Sequence, residues 1–436
     1  MVLKNRLKSA QMAALLMLVI IDRTPWRLLA TLYVNEISRS GNRYFLKIKA
    51  GTWGACMDSG TFSDLRSVHS RYRTFAREKL RVDLMEREVA ATASRQAWSS
   101  AGEQGLFELL IPLQRKREDL LNVVTAMEAL GEGGEDLGFC LSIVAHAIGC
   151  AFVINEAGSG EQKEIFLPGL RSGAAIGACA MTELGSGSDA FSMAATARRD
   201  GDDYILDGTK LYVTNGPVAD VFVIYARTGL EPGGLGVSAF AIPRSALGLD
   251  VEDGSEKLGA RTANWGTLRL RGCRLPISCR LGAEGAGGSL FREAMKWERL
   301  ALTAATVGAM RASLDRCLAF VKGHHRFRDQ LSKYQSVLHR IVDMRARFEA
   351  GRALLHSVVQ GQTGHVLSEE MVSIARLVVA ESAFQNGYDE VHLRGAAGIY
   401  VNSEANLLLR NALALQSASG TQEIQKALIG SAMGLR

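Results

Sequence analysis

Proline is absent from the 436-residue chain beyond Pro276. Nothing there imposes a helix break, and apolar residues recur at spacings of three and four, so this stretch predicts long helices packed as a bundle. The seven cysteines (Cys56, Cys140, Cys150, Cys179, Cys273, Cys279 and Cys317) are odd in number and scattered. None forms a CxxC pair or stands among histidines at ligand spacing, which argues against a disulfide framework and a zinc site. Free buried thiols in a reducing compartment fit instead. The chain also lacks net charge over most of its length. Its formal charge is +6, but residues 1–56 hold nine Lys/Arg against Asp22 and Glu36, so the remainder is close to neutral. Without a basic body, nucleic-acid binding is set aside. With 47% hydrophobic and 22% charged residues, neither a disordered nor a fibrous class fits.

Lys4, Arg6 and Lys8 precede an apolar run, Met12–Ile21. The pattern is like the start of a signal peptide, yet it reaches only about half of a membrane span. Asp22, Arg23 and Pro25 follow in place of a small-residue cleavage site. Residues 1–57 are therefore expected to be a poorly ordered or over-predicted extension, with Met57 as an alternative start. No membrane span and a cytoplasmic location are expected.

Residues 58–176 read as a helical domain. Ser67–Ala91 is charged and amphipathic, Asp119–Leu130 repeats apolar residues at helical spacing, and a second apolar run, Leu141–Ile154, holds His146. A lone histidine on a buried face is more often a satisfied core residue than a ligand. Over 177–286 the texture becomes β-rich, with runs Tyr204–Leu206, Leu211–Thr214, Val221–Tyr225, Ser238–Ile242 and Thr267–Leu270. Asp200–Gly201–Asp202, Asp207–Gly208 and Asn215–Gly216–Pro217 are expected turns between them, giving a small antiparallel β domain. Residues 287–436 are the expected bundle. The fold class is α+β, mainly α.

Two segments carry chemistry. In Cys179–Asp189, Gly185 and Gly187 allow close backbone approach, while Thr182 and Ser188 offer hydroxyls and N–H groups to a phosphate or a flat ring. Taken alone this is equally a tight turn. The second segment, Asp207-Gly208-Thr209-Lys210-Leu211-Tyr212-Val213-Thr214-Asn215-Gly216, follows some twenty residues later. Together they resemble the paired signatures of the acyl-CoA dehydrogenase family. Gln162-Lys163, Leu167–Leu170, Lys257–Arg261, Tyr334-Gln335 through Asp343-Met344, Gly395–Gly398 and Gly420-Thr421 extend the resemblance from about residue 60 to the C-terminus.

The resemblance implies a helical N-terminal domain, a middle β-barrel-like domain and a C-terminal four-helix bundle, assembled as a homodimer or homotetramer. It implies FAD, an acyl thioester of CoA or a carrier protein, and an electron-transfer flavoprotein or other acceptor. By position, Met181, Thr182, Tyr212 and Thr214 would surround the flavin ring, with Thr214 near N5. Gly187 and Ser188 would lie at the pyrophosphate, where Ser188 also approaches the substrate's pantetheine arm. Arg326, Phe327, Gln335, His392, Gly395 and Thr421 would complete the FAD site, partly across a subunit interface. Arg299, Ser419 and Gly420 would contact substrate.

The chain also departs from the family pattern. The usual base, a Glu directly before the C-terminal Gly-Thr, is Ser419 here, and a serine without a partner base cannot take an α-proton efficiently. Glu298 is the replacement. It shares a helix face with Ala294, Ala301 and Ala305, where desolvation would raise its pKa, and the isovaleryl and long-chain branches resemble this arrangement. Glu298 would take the α-proton while a β-hydride passes to flavin N5; the bland alternative is a structural ion pair with Lys296, Arg299 or another helix. His324 replaces the family's pyrophosphate-pairing Arg, His392 replaces a Gln, and Glu423 puts a carboxylate near the phosphates. A flavin monooxygenase on the same fold, or a non-catalytic paralogue that binds flavin poorly, are the competing functions.

Overall fold

The structure is a computed structural model and describes residues 34–40, 43–48, 59–111, 117–361 and 367–435. The Met12–Ile21 run and Met57 lie outside the described residues. Within the expected extension, Val34–Ser40 (β1) and Arg43–Ile48 (β2) form an antiparallel hairpin, which the sequence reading did not anticipate. Residues 65–436 form a separate unit.

The helical layer begins with α1 (Ser59–Phe75), α2 (Leu84–Ala90), α3 (Arg95–Glu103) and α4 (Leu106–Leu110), followed by α5 (Arg117–Gly134), α6 (Leu137–Ala157) and α7 (Gly160–Ser172). Helix α6 has a mean hydropathy of 2.3 and is long and apolar enough to cross a membrane, but its apolar window is wholly buried in the protein. It is a core helix. Its middle, Ala145–Phe152, is wound as a π-helix, a local unwinding often found at functional sites. His146 lies there fully buried, its Nε2 paired with Leu170 O at 2.9 Å and its Nδ1 accepting from Gly177 N at 2.9 Å. Burial pushes its pKa down to about 4, so the ring is neutral and structural. Gln162 closes a capping box with Ser159 at the start of α7 and reaches Ser278 O at 2.7 Å.

The middle sheet runs β10-β7-β6-β4-β5-β9-β8, with β3 beside β6. Its strands are β3 (Gly177–Ala180), β4 (Thr196–Asp200), β5 (Asp203–Thr214), β6 (Val221–Arg227), β7 (Val237–Pro243), β8 (Leu249–Asp253), β9 (Trp265–Pro276) and β10 (Arg280–Leu281). Two sequence expectations are corrected here. The sheet is not purely antiparallel, because β3 pairs parallel with β6 and Thr196 of β4 also pairs parallel with Arg227. Asp207–Gly208 is not a turn but an irregularity inside the long strand β5. Gly208 has φ +148° there, and a Cβ would stand 2.4 Å from that of Ala195. The dipeptide carries a turn composition because the backbone needs a glycine, not because the chain reverses.

The C-terminal layer comprises α8 (Gly287–Gly323), α9 (Gln335–Gln360), α10 (Glu369–Arg394), α11 (Leu407–Ser417) and α12 (Gln422–Ala432). Helix α8 crosses α5 at very close range. A Cβ on Gly131 would meet Ala305 O at 1.9 Å, and one on Gly308 would meet Glu128 O at 2.0 Å. This crossing locks α8, and with it Glu298, against the helical layer.

Candidate active site

A buried ion pair joins the two sequence motifs. Lys210 Nζ donates to Glu183 Oε1 at 2.7 Å and to Met181 O at 3.0 Å, while Glu183 also accepts from the backbone of Ala194 and Ala195. Neither side chain is more than marginally exposed. Leu211 N donates to Thr182 O at 2.8 Å. The Thr182 segment and the end of β5 are thus strapped side by side, which is why residues thirty positions apart share one wall.

Between Lys210 and Val213 the β5–β9 register shifts. Tyr212 takes φ 57°, a left-handed conformation that costs a non-glycine residue roughly 1–3 kcal/mol. The bulge turns its ring outward, 61% exposed, with Trp265 edge-on at 6.4 Å. These rings border a cavity of about 510 Å³ lined also by Met181, Thr182, Gly187, Ser188, Thr214 and Cys179.

From the bundle side the cavity receives Glu298 and Arg299 of α8 and the turn Ser417–Thr421 between α11 and α12. The Ser419 hydroxyl donates to Glu298 Oε1. Lys296 pairs with Glu293 at 2.6 Å and Arg299 with Glu369 at 3.4 Å. Glu298 therefore has no salt bridge among the described residues, and its Oε2 has no hydrogen-bond partner there. Burial raises its pKa, opposed by the Ser419 hydroxyl and by the charges of Arg299 and Arg376. Gly149 of the π-helical segment leaves space behind it: a Cβ there would lie 2.9 Å from Cys179 Cβ and 3.8 Å from Glu298 Oε2.

Ser419 is itself left-handed, φ 56°, and Gly420 has φ +96°. Carbonyls of the turn are held from behind: Arg299 Nε donates to Ser419 O at 2.9 Å and Gln425 Nε2 to Gly420 O at 3.0 Å. Arg376 Nη2 donates to Leu415 O and, at 3.4 Å, to Ala418 O. The N–H groups of Ser419 and Gly420 have no acceptor among the described residues. A half-buried carboxyl of raised pKa and a turn carrying two N–H donors without an acceptor among the described residues border the same cavity. That combination can remove a proton beside a carbonyl and stabilise the oxygen.

Three family profiles match the chain: acyl-CoA dehydrogenase N-terminal domain over 63–174, middle domain over 178–273 and C-terminal domain over 285–434. The chain belongs to the acyl-CoA dehydrogenase family. It is 35% identical over 386 residues to an L-prolyl-[peptidyl-carrier protein] dehydrogenase of Serratia sp., covering 87% of this chain and 98% of that one. It is 30% identical to the mitochondrial isovaleryl-CoA dehydrogenase of Pongo abelii, covering 86% and 89%. A solved structure described as PigA with FAD and proline has a TM-score of 0.81 at 32% identity, covering 87% of this chain and all of that one.

For this acyl-CoA dehydrogenase family member, the cavity lining suits a flavin ring. Tyr212 and Trp265 provide flat apolar walls, Thr182 and Thr214 provide hydroxyls, and Trp265 Nε1 is buried without a partner. No atom lies within 4 Å of a Cβ placed on Gly187. Of the expected residues, the structure brings Glu298, Met181, Thr182, Gly187, Ser188, Tyr212, Thr214, Arg299, Ser419, Gly420 and Thr421 to this one cavity. Arg326, Phe327, Gln335, His392 and Gly395 do not line it; all five are exposed, Phe327 to 92%. His324 is exposed and turned back on its own helix, Nδ1 to Phe320 O at 2.9 Å. Glu423 is exposed in the first turn of α12, where hydrogen bonds from its own N–H and from Thr421 hold its pKa down. Sequence reasoning missed Cys179 as a lining residue, Trp265 and Arg376. Trp265 opens a strand already visible as Thr267–Leu270, but nothing in its spacing ties it to Tyr212.

Proposed function

We propose that this chain is an FAD-dependent dehydrogenase of a compact acyl thioester, with Glu298 as the α-proton base. The observation that carries it is Glu298 itself: one oxygen held by Ser419, the other free, in a cavity shared with the paired motifs. A carboxyl with its pKa raised by burial is a better base than a solvated one, and it must be ionised to act. Thioester conjugation makes the α-C–H acidic, and the N–H groups of Ser419 and Gly420 would receive the carbonyl oxygen as negative charge grows on it. Ser419 thus replaces a family glutamate without removing the N–H that matters. FAD, when bound, supplies the acceptor for the hydride leaving the β-carbon. Met181, Thr182, Tyr212 and Thr214 would hold its ring, and the electrons would pass on to an electron-transfer flavoprotein or another acceptor.

The relatives support a compact acyl group, and the stronger match supports a prolyl group on a carrier protein over isovaleryl-CoA. Leu141, Ala145, Cys179, Phe291 and Met295 give the cavity an apolar side, and among the described residues Glu298 is the one carboxylate lining it. The test is mass spectrometry of the acyl group after turnover with prolyl-carrier protein and isovaleryl-CoA. A loss of two hydrogens from one of them is expected, and its absence from both contradicts the proposal. No observation favours the monooxygenase over this reading, because the carboxylate that chemistry would not need is in place.

A further inference from the structure

Trans peptide planarity gives the turn before α12 a consequence. Within one peptide unit the C=O and N–H point in opposite directions, and no cis peptide bond occurs among the described residues. Whatever holds the Ala418 carbonyl therefore aims the Ser419 N–H. Arg376 holds it, together with the Leu415 carbonyl. Arg299 does the same for the next peptide through Ser419 O.

Arg376 is costly where it stands. It is 2% exposed on a face of α10 that also carries Val372, Ser373, Val379, Ala380 and Ala383, all buried. No carboxylate lies within 4 Å of it among the described residues, and its Nη1 is buried without a partner. Burial lowers its pKa to about 10, with the charge of Arg299 adding to the effect and that of Glu298 opposing it. An apolar side chain would fill this position at less cost. Packing alone does not explain a lone guanidinium bonded to carbonyls directly behind the reacting site.

We propose that Arg376 is a positioning residue for the thioester carbonyl: by fixing the Ala418–Ser419 peptide it presents the Ser419 N–H to the cavity. This rests on the function proposed above. The arginine touches neither substrate nor cofactor. Its charge also lies on the side from which a positive potential favours oxygen anion over neutral carbonyl.

The test compares wild type, Arg376→Gln and Arg376→Lys, each loaded with FAD, by two readouts besides turnover. The first is exchange of the substrate α-hydrogen in deuterated water, followed by mass spectrometry on prolyl-carrier protein and isovaleryl-CoA. The second is affinity for each thioester against its thioether counterpart, which lacks the carbonyl oxygen. Arg376→Gln is expected to slow exchange about 10- to 100-fold, less than outright deletion of an oxyanion donor. It should weaken thioester binding and leave thioether binding unchanged, with Arg376→Lys intermediate. Wild-type exchange in Arg376→Gln, or equal loss of thioester and thioether affinity, overturns the proposal. Should the Gln variant not fold, the same comparison on the Lys variant decides. If wild type exchanges with neither thioester, the proposed function falls and takes this inference with it.

Discussion

At the scale of single residues, the site depends on how Ser419 and Glu298 share a proton network. The Ser419 hydroxyl donates to Glu298 Oε1 and so stabilises the ionised carboxylate against the upward push of burial. Removing it in Ser419→Ala should raise the Glu298 pKa further. Because the ionised form is the base, flavin reduction rises with pH through that pKa, and the acid limb of the profile should move to higher pH. Anaerobic stopped-flow across pH reads this directly, and an unmoved or down-shifted limb contradicts it. The sequence made the pair legible only in part. A vacant base position and a glutamate on an alanine stripe named Glu298, but contact between residues more than a hundred positions apart comes from how α8 meets the α11–α12 turn. Arg376 was invisible for the same reason: an arginine in an apolar helix face looks like a surface residue until its face is shown to be buried.

At the scale of elements, the wall behind Met181 and Thr182 is built by β5 and its bulge. Lys210 and Glu183 are both buried, so removing the cation leaves an uncompensated carboxylate. Lys210→Met should cost about 3–5 kcal/mol, and Lys210→Met with Glu183→Gln should recover part of it. Urea unfolding of the flavin-loaded proteins measures both; equal midpoints for wild type and Lys210→Met would remove the ion pair's role. The strands themselves were readable from β-branched runs. Asp207–Gly208 was not, because turn composition also serves a strand whose backbone approaches Ala195 too closely for any Cβ. The parallel pairing of β3 with β6 was hidden too, since four residues, Gly177–Ala180, carry too short a pattern to register.

At the scale of the whole molecule, helix, sheet and bundle follow one another as composition suggested, and the missing prolines after Pro276 foretold the long helices. The family resemblance implies a cofactor site completed partly across a subunit interface. Arg326, Phe327, Gln335, His392 and Gly395 are exposed and away from the cavity lining, an arrangement that fits service to the cofactor of a second copy. Light scattering should give a dimer or tetramer, and Phe327→Asp should lose assembly and FAD together while keeping its helical circular dichroism. A monomer with stoichiometric FAD contradicts that arrangement. The central claim, Glu298 driving thioester dehydrogenation, is tested most directly by the anaerobic visible spectrum of the flavin-loaded protein titrated with prolyl-carrier protein and isovaleryl-CoA. Wild type should bleach with one of them, and Glu298→Gln should bleach about 10²- to 10⁴-fold more slowly. A fully loaded wild type that neither thioester bleaches, or a Glu298→Gln protein that bleaches at the wild-type rate, would contradict the account.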